Sequence, residues 1–197
     1  MKNIGCILLA AGAGARFGGS KLFAFFNGRP VIEYILGNVR DTDFSHRAIV
    51  AANDEMLDTA RRFGFAGVVN DCPELGVSRS IRMGLDLMSD TDACMFCVAD
   101  QPLLGRDTLS GMLESYEPGT ILAVSHNEQS GNPVIYPARL YGELSRLEGE
   151  ESGKTVASRY KSLLRHFYVA DALQLEDIDT REDLTALQER IGSPDIK

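Results

Sequence analysis

Short apolar runs alternate along the chain with segments in which apolar residues recur every three or four positions. The strand-length runs are Ile4–Ala10, Arg47–Ala51, Gly67–Asn70, Ala93–Val98 and Thr120–Val124. The segments with helical spacing are Val31–Val39, Glu55–Phe63, Val77–Met88 and Asp107–Ser115. This alternation predicts a three-layer α/β/α fold, with helices on both faces of a mostly parallel, Rossmann-like sheet.

The last third of the chain has a different pattern. Asn132–Pro137 predicts a short strand, and the charged stretch Leu147–Lys154 is typical of a solvated loop. A C-terminal helix is expected to open at a segment resembling a capping box, Thr180-Arg181-Glu182-Asp183, and to bury Leu184, Leu187 and Ile191. Because there is no repeat or composition break, we expect residues 1–197 to form a single domain.

Composition and charge narrow the possible partners. With 44% hydrophobic residues the chain can bury a substantial core, and its net charge of −8 argues against binding to nucleic acid, which needs a basic field. The first residues form a short apolar run without a signal-peptide cleavage site, and no run reaches the roughly 20 residues that cross a bilayer. We therefore expect a soluble, cytoplasmic protein that does not associate with membranes.

A C-x-x-C pair, Cys94 and Cys97, lies inside a predicted strand. Residues three apart on a strand point to opposite faces, so these thiols cannot converge on one metal ion. They are predicted to be structural.

A glycine-rich segment follows the first strand, from Gly12 to Lys21. Its spacing misses the dinucleotide fingerprint by one residue, and the Walker A pattern fails because Ser20 follows Gly19. Glycines nevertheless allow backbone N–H groups to approach phosphate oxygens, and Arg16 and Lys21 can neutralise their charge. The alternative is a plain tight turn.

Two further segments carry candidate chemistry. Asp100 ends the predicted fourth strand, where open α/β sheets place ligands, and Mg²⁺ prefers a carboxylate combined with phosphate oxygens. The alternative is an Asp that caps the turn before Pro102. Gly76–Ile81 opens a helix for which Ser78 is a suitable cap, and a ligand contact can coexist with a cap there.

The glycine-rich segment resembles the L-A-A-G-x-G-x-R-M-G-x-x-K signature of nucleotidyltransferases with the nucleotide-diphospho-sugar transferase fold, with Phe17 in place of Met. The direct spacing from Gly18 to Lys21 resembles the molybdenum-cofactor branch. Within it, Leu9-Ala10-Ala11-Gly12 is similar to the cytidylyltransferases, whereas guanylyltransferases usually carry L-A-G-G. The resemblance implies Mg²⁺ as cofactor, CTP in preference to GTP, and molybdopterin or another phosphorylated small molecule as acceptor.

Four other segments match the family in order along the chain. Val98–Leu103 resembles its G-D-Q-P motif, Gly76–Ile81 its G-M-G-x-S-L turn, and Ser130–Val134 its G-x-P turn. Asp177–Leu184 resembles D-I-D-T-P-E-D-L, with Arg181 in place of Pro.

The resemblance implies roles for individual residues. Arg16, Lys21 and Asp100 would be catalytic, and Asp100 would hold the metal with Asp177 or Asp179. The rival explanation for Asp179 or Thr180 is helix capping. The residues implied for nucleotide binding are Leu9, Ala10, Ala11, Gly12, Gly14, Asn70, Gly76, Ser78 and Ser80.

The largest departure from the family is Gly149–Lys154, where related proteins carry G-D-K-G-G-K or G-D-x-G-A-R. Glu150 replaces Asp and Glu151 replaces a cation, and an added negative charge beside an anionic acceptor is unfavourable. Two alternatives therefore stay open. One is a sugar-phosphate or alditol-phosphate nucleotidyltransferase, and the other is a catalytically silent accessory protein that passes nucleotide or cofactor to a molybdenum hydroxylase or its chaperone.

Overall fold

A seven-stranded sheet forms the centre of the fold in the computed structural model, which describes residues 3–12, 16–127 and 129–192. The strands are β1 Ile4–Ala10, β2 Phe25–Phe26, β3 Arg29–Pro30, β4 His46–Ala51, β5 Ala66–Val69, β6 Ala93–Val98, β7 Ile121–His126, β8 Gln129–Pro137 and β9 Leu164–Tyr168. The sheet order is β5-β4-β1-β6-β8-β7-β9, and β2 and β3 form a separate hairpin.

The sheet is mostly parallel, as predicted. β1 pairs in parallel with β4 and β6, β4 with β5, and β7 with β9, whereas β8 runs antiparallel to both β6 and β7. The first half of β8 therefore lies at the same edge of the sheet as the carboxyl ends of β1 and β6.

Helices cover both faces of the sheet. They are α1 Val31–Arg40, α2 Asp54–Arg62, α3 Val77–Asp86, α4 Arg106–Ser115, α5 Tyr141–Ser145, α6 Gly153–Arg159 and α7 Arg181–Gly192. One apolar cluster joins β1 and β6 to α1, α2, α4 and α7, and a second joins the opposite faces of these strands to α3, α5 and α6. The three-layer prediction is confirmed.

The buried cysteines follow the predicted alternation. Cys94 belongs to one apolar cluster and Cys97 to the other, so the C-x-x-C thiols lie on opposite faces of the sheet. The Sγ atom of Cys97 instead lies 3.8 Å from that of Cys6 on β1. Burial raises the pKa of the Cys6 and Cys94 thiols well above the usual value. Both therefore stay protonated near neutral pH.

Several elements differ from the expectation. β8 begins at Gln129 rather than Asn132, and the short elements β2, β3 and α5 were not expected, nor were β9 and α6. β9 is an edge strand whose residues are exposed or half-buried, and α6 buries only Val156, so neither carries a strong apolar pattern. No helix in the three described ranges is long and apolar enough to cross a membrane.

Candidate functional site

A cavity of about 310 Å³ lies at the carboxyl ends of β1 and β6. These strands are neighbours in register, with Leu9 opposite Val98, and the Ala99 N–H donates to the Leu9 carbonyl at 3.1 Å. Eight of the predicted site residues line this cavity: Leu9, Ala10, Ala11, Gly12, Lys21, Gly76, Ser80 and Asp100. The parallel pairing of β1 with β6 places the carboxyl ends of these strands side by side, and α3 packs against β1. The fold thus brings together motifs that are far apart in the sequence.

Lys21 lines the cavity and pairs with Asp100, another lining residue, and with Asp179, which lies outside the lining. Its Nζ donates to Asp100 Oδ2 at 2.6 Å and to Asp179 Oδ1 at 3.0 Å, while Arg16 Nη2 donates to Asp179 Oδ2 at 2.9 Å. Burial alone would lower the pKa of Lys21, but the two carboxylates outweigh it and raise that pKa. Lys21 is therefore a fixed cation, and its side chain is only 12% exposed.

The C-terminal D-I-D segment is held against the end of β6 by its backbone. The Ile178 N–H donates to the Asp100 carbonyl at 3.0 Å, and the buried Ile178 side chain anchors the segment in the core. Desolvation raises the pKa of the Asp177 carboxyl, and the negative charge of Asp100 raises it further. Asp100, Asp177 and Asp179 thus form one acidic cluster around Lys21.

Thr180 and Asp183 cap the N-terminus of α7. Asp183 N donates to Thr180 Oγ1 at 3.1 Å, and Asp183 Oδ2 accepts from the backbone N–H groups of Thr180 and Asp179 at 2.8 and 3.1 Å. This is the predicted capping box. Because Thr180 and Asp183 cap the helix, the Asp179 carboxylate is left to pair with Lys21 and Arg16.

Two departures from the family motifs face each other beside this cluster. The Arg181 guanidinium, where the family has Pro, lies 5.0 Å from the ring centroid of Phe17, where the family has Met. A cation over an aromatic face is attractive, so the two replacements interact with each other.

The acidic cluster offers an oxygen suited to a metal ion. Asp100 Oδ1 is buried without a hydrogen-bond partner within the described ranges, and such an atom is costly unless something binds it. No group of three or more His, Cys, Asp or Glu side chains in those ranges is arranged to hold a metal. Mg²⁺ is commonly held by one or two carboxylates, with phosphate oxygens and water completing its shell. Asp100, together with one of the neighbouring carboxylates of Asp177 and Asp179, fits that mode of binding.

Asn70 and Ser78 do not line the cavity. Asn70 is buried, donates to Ser80 Oγ at 2.9 Å, and accepts from Cys72 N at 3.1 Å and Arg79 Nε at 2.8 Å. It therefore shapes the turn that carries Ser80. The expected cap at Ser78 is wrong, because Gly76 is the N-cap residue of α3 and Ser78 lies within the first turn. No side chain caps this helix. The predicted residue Gly14 lies outside the described residues.

The Gly149–Lys154 segment borders the same cavity, which the sequence did not predict. Glu150 is one of the lining residues, and the Gly149 carbonyl accepts from Ser78 N at 3.2 Å. Gly76 permits this contact, since it has a φ of +89° and a Cβ there would lie 2.1 Å from the Gly149 oxygen. The segment is therefore packed on the start of α3, and its second half forms the first turn of α6.

Two further cavities continue along the sheet from the first one. A cavity of about 90 Å³ shares Leu9, Val77 and Val98 with it, and also contains Asn132 and Lys154. Another, of about 360 Å³, shares Lys154 with the second and adds Lys161 over a mostly apolar floor. The predicted G-x-P turn, Ser130–Val134, is instead part of β8, and the pairing register of β7 and β8 shifts beside it, between Ala123 and Ser125. Asn132 lines the second cavity and Gly131 the third.

Comparisons with known proteins agree with this architecture. The sequence profile of the MobA-like NTP transferase domain matches residues 6–164. A probable molybdenum cofactor guanylyltransferase from Thermococcus kodakarensis is 26% identical over 204 residues, covering 91% of this chain and 92% of that protein. The bifunctional protein GlmU from Dichelobacter nodosus is 30% identical over 120 residues, covering 58% of this chain but only 26% of that protein.

The fold is also similar to solved structures. Rv0371c from Mycobacterium tuberculosis H37Rv, in a complex with manganese, superposes with a TM-score of 0.80 and 22% identity, covering 95% of this chain and 99% of that one. At this identity the likeness concerns the fold alone. The family profile extends over most of the chain and over the cavity-lining strands. The chain therefore belongs to the MobA-like NTP transferase domain family and is a nucleotidyltransferase.

Proposed function

We propose that this chain transfers a cytidylyl group from CTP to the terminal phosphate of molybdopterin, with release of pyrophosphate, during molybdenum cofactor maturation. The observation that carries the proposal is the position of Lys21, held between Asp100 and Asp179 in a cavity lined by Leu9–Gly12. A cation and carboxylates beside a glycine-rich turn are the groups that a nucleoside triphosphate and its metal require.

In the proposed reaction, an oxygen of the acceptor phosphate attacks the α-phosphorus of CTP. A new bond forms between that oxygen and the α-phosphorus, while the bond from the α-phosphorus to the bridging oxygen breaks and pyrophosphate leaves. Such a transfer depends on positioning and on charge stabilisation rather than on a covalent intermediate. Lys21 and Arg16 would hold the triphosphate and stabilise the negative charge that develops on the leaving group.

Asp100, with Asp177 or Asp179, would hold Mg²⁺. The buried Asp100 Oδ1 has no other partner in the described part of the chain, which supports its role as a ligand. When bound, the ion would neutralise phosphate charge. The structure of Rv0371c in complex with manganese supports the proposal that this chain also uses a divalent cation.

The proposed preference for CTP rests on Ala11. This residue lines the cavity, and its methyl group leaves less room for a purine than the glycine usual in guanylyltransferases. The Thermococcus relative is described as a guanylyltransferase, so the choice of base has to be measured directly.

The acceptor would occupy the two cavities that contain Lys154. Their apolar lining suits a ring system, and Lys154 can attract the acceptor phosphate towards the nucleotide cavity. The acidic residue Glu151 does not oppose this, because its carboxylate accepts from Glu148 N at 3.0 Å and pairs with Arg159 at 3.5 Å. The negative charge of Glu151 is thus countered by Arg159 at the end of α6.

Pyrophosphate release with each of the four NTPs, with and without molybdopterin, tests the proposal. We expect release with CTP that depends on both Mg²⁺ and molybdopterin. Release that requires a sugar phosphate or alditol phosphate instead would select the alternative acceptor class. Binding of nucleotide without any release would select the accessory role and overturn the proposed reaction.

A further inference from the structure

The segment Glu148–Glu151 is a hydrogen-bonded turn at the border of the nucleotide cavity. Glu151 N donates to the Glu148 carbonyl at 3.0 Å, and Glu148 N donates to the Glu151 carboxylate at 3.0 Å. Arg82 of α3 donates to the Ser145 and Leu147 carbonyls, both at 3.2 Å, just before the turn. These contacts, together with Gly149 packed on Gly76, fix the backbone on either side of Glu150.

The three glutamates of this turn are used differently. The Glu151 carboxylate is engaged by Glu148 N and Arg159, and the Glu148 side chain does not line the cavity. Glu150 lines the cavity, and its carboxylate makes no hydrogen bond or ion pair with the residues that the structure describes. The hydrogen-bonded turn therefore presents an exposed carboxylate, without a partner among the described residues, to the space where the nucleotide is proposed to bind.

The position of Glu150 in the cavity determines which part of a bound nucleotide its carboxylate can contact. Glu150 belongs to the wall formed by Pro73, Gly76 and Val77, whereas Lys21 is held by Asp100 and Asp179. Phosphates are attracted to Lys21 and repelled by a carboxylate. The groups that a carboxylate binds well are neutral O–H and N–H donors, because an ionised acceptor strengthens the hydrogen bond.

We propose that Glu150 is a nucleoside-recognition residue whose carboxylate accepts hydrogen bonds from the ribose hydroxyls or the base amino group of the bound NTP. This inference rests on the proposed function, which assigns the nucleotide to this cavity. The proposal assigns a role to Glu150, although the sequence associated its segment, Gly149–Lys154, with the acceptor. Glu150 is then a specificity-determining residue on the nucleotide side.

Calorimetric titration of the full chain with nucleotide and Mg²⁺ tests this without an acceptor. The titrants are CTP, 2′,3′-dideoxy-CTP, which lacks both hydroxyls, and UTP, which lacks the amino group. The variants are Glu150→Ala and the matched control Glu148→Ala, which removes the same charge from the same turn. Thermal unfolding of each variant verifies that the fold is retained.

We expect Glu150→Ala to raise the Kd for CTP by about 10-fold, as for the loss of a hydrogen bond to a charged group, and Glu148→Ala to change it less than about 2-fold. If the ribose hydroxyls are the donors, Glu150→Ala should leave the Kd for dideoxy-CTP unchanged. If the base amino group is the donor, Glu150→Ala should leave the Kd for UTP unchanged. An equal loss for all three nucleotides, no loss, or tighter binding would overturn the inference. Failure of the wild type to bind any NTP would overturn the proposed function as well.

Discussion

The nucleotide side and the acceptor side of the site are built differently. On the nucleotide side, Lys21 and Arg16 are already paired with Asp100 and Asp179, so the charged groups are positioned before any ligand arrives. On the acceptor side, Lys154 and Lys161 border apolar cavities and form no ion pair within the described residues.

This difference suggests how one fold can keep its chemistry while its acceptor changes. Preorganised charges lower the cost of reorganisation during the reaction. They come from the loops that follow β1 and β6 and from the segment whose backbone is bonded to Asp100. The acceptor cavities are lined instead by residues of α6 and β8, among them Lys154 and Asn132, which make no contact with those charges. Substitutions on each side of the site test this division.

Asp100→Ala should reduce Mg²⁺-dependent turnover by about 1,000-fold, since it removes both the partner of Lys21 and the oxygen available to a metal. Steady-state pyrophosphate release measures this, and circular dichroism should show an intact fold. Asp86→Ala, at an exposed position at the end of α3, is the matched control. Wild-type turnover in Asp100→Ala would remove the metal assignment.

Gly76→Ala should destabilise the protein by about 3 kcal/mol, because it combines a clash with the Gly149 carbonyl and a backbone conformation that only glycine adopts readily. We expect the Tm to fall by about 6–12 °C. Gly142→Ala is the control, since a Cβ there meets open space within a helix and should be neutral or slightly stabilising. Equal Tm values for the two variants would refute the proposed packing of the Gly149–Lys154 segment on α3.

Lys21→Ala and Lys154→Ala separate the two sides of the site most sharply. Loss of Lys21 should lower kcat/KM for the NTP by 10- to 100-fold, roughly the value of a charge-assisted hydrogen bond. Loss of Lys154 should mainly raise the acceptor KM, by about 10-fold. If both variants raised the NTP KM equally and left acceptor kinetics unchanged, the division of the site would be wrong.

Ala11→Gly should relax the choice between CTP and GTP. A pocket that differs by one methyl group discriminates by about 10- to 200-fold, so the wild-type preference should be measurable but incomplete. The ratio of kcat/KM for CTP to that for GTP should fall in the variant. A wild-type ratio at or below one would exclude the cytidylyl preference and leave the nucleotidyltransferase assignment unchanged.

Much of the nucleotide side could be predicted from the sequence, for a physical reason. β1, β6 and α3 bury nearly continuous or regularly spaced apolar residues, which fixes where each element ends and hence where Gly12, Gly76 and Asp100 lie. The capping box at Thr180 likewise identified the start of α7 from local pattern alone.

The acceptor side was less predictable because its features depend on tertiary contacts. The edge strand β9 has no buried residue in its pattern, and α6 has one. Glu150 reaches the nucleotide cavity only because Gly149 packs on Gly76, a contact between residues 73 positions apart in sequence number that no local pattern reports. The pairing of Lys21 with Asp179 is similarly invisible until the chain folds.

The most direct test of the central claim follows the phosphorus atoms of CTP. The wild-type chain is incubated with Mg²⁺, molybdopterin and CTP labelled at either the α- or the γ-phosphate, and the products are separated. We expect the α-label to appear in the molybdopterin product and the γ-label to appear in pyrophosphate, in equal amounts. Transfer of the γ-label to the acceptor, or release of free CMP without a labelled product, would contradict it.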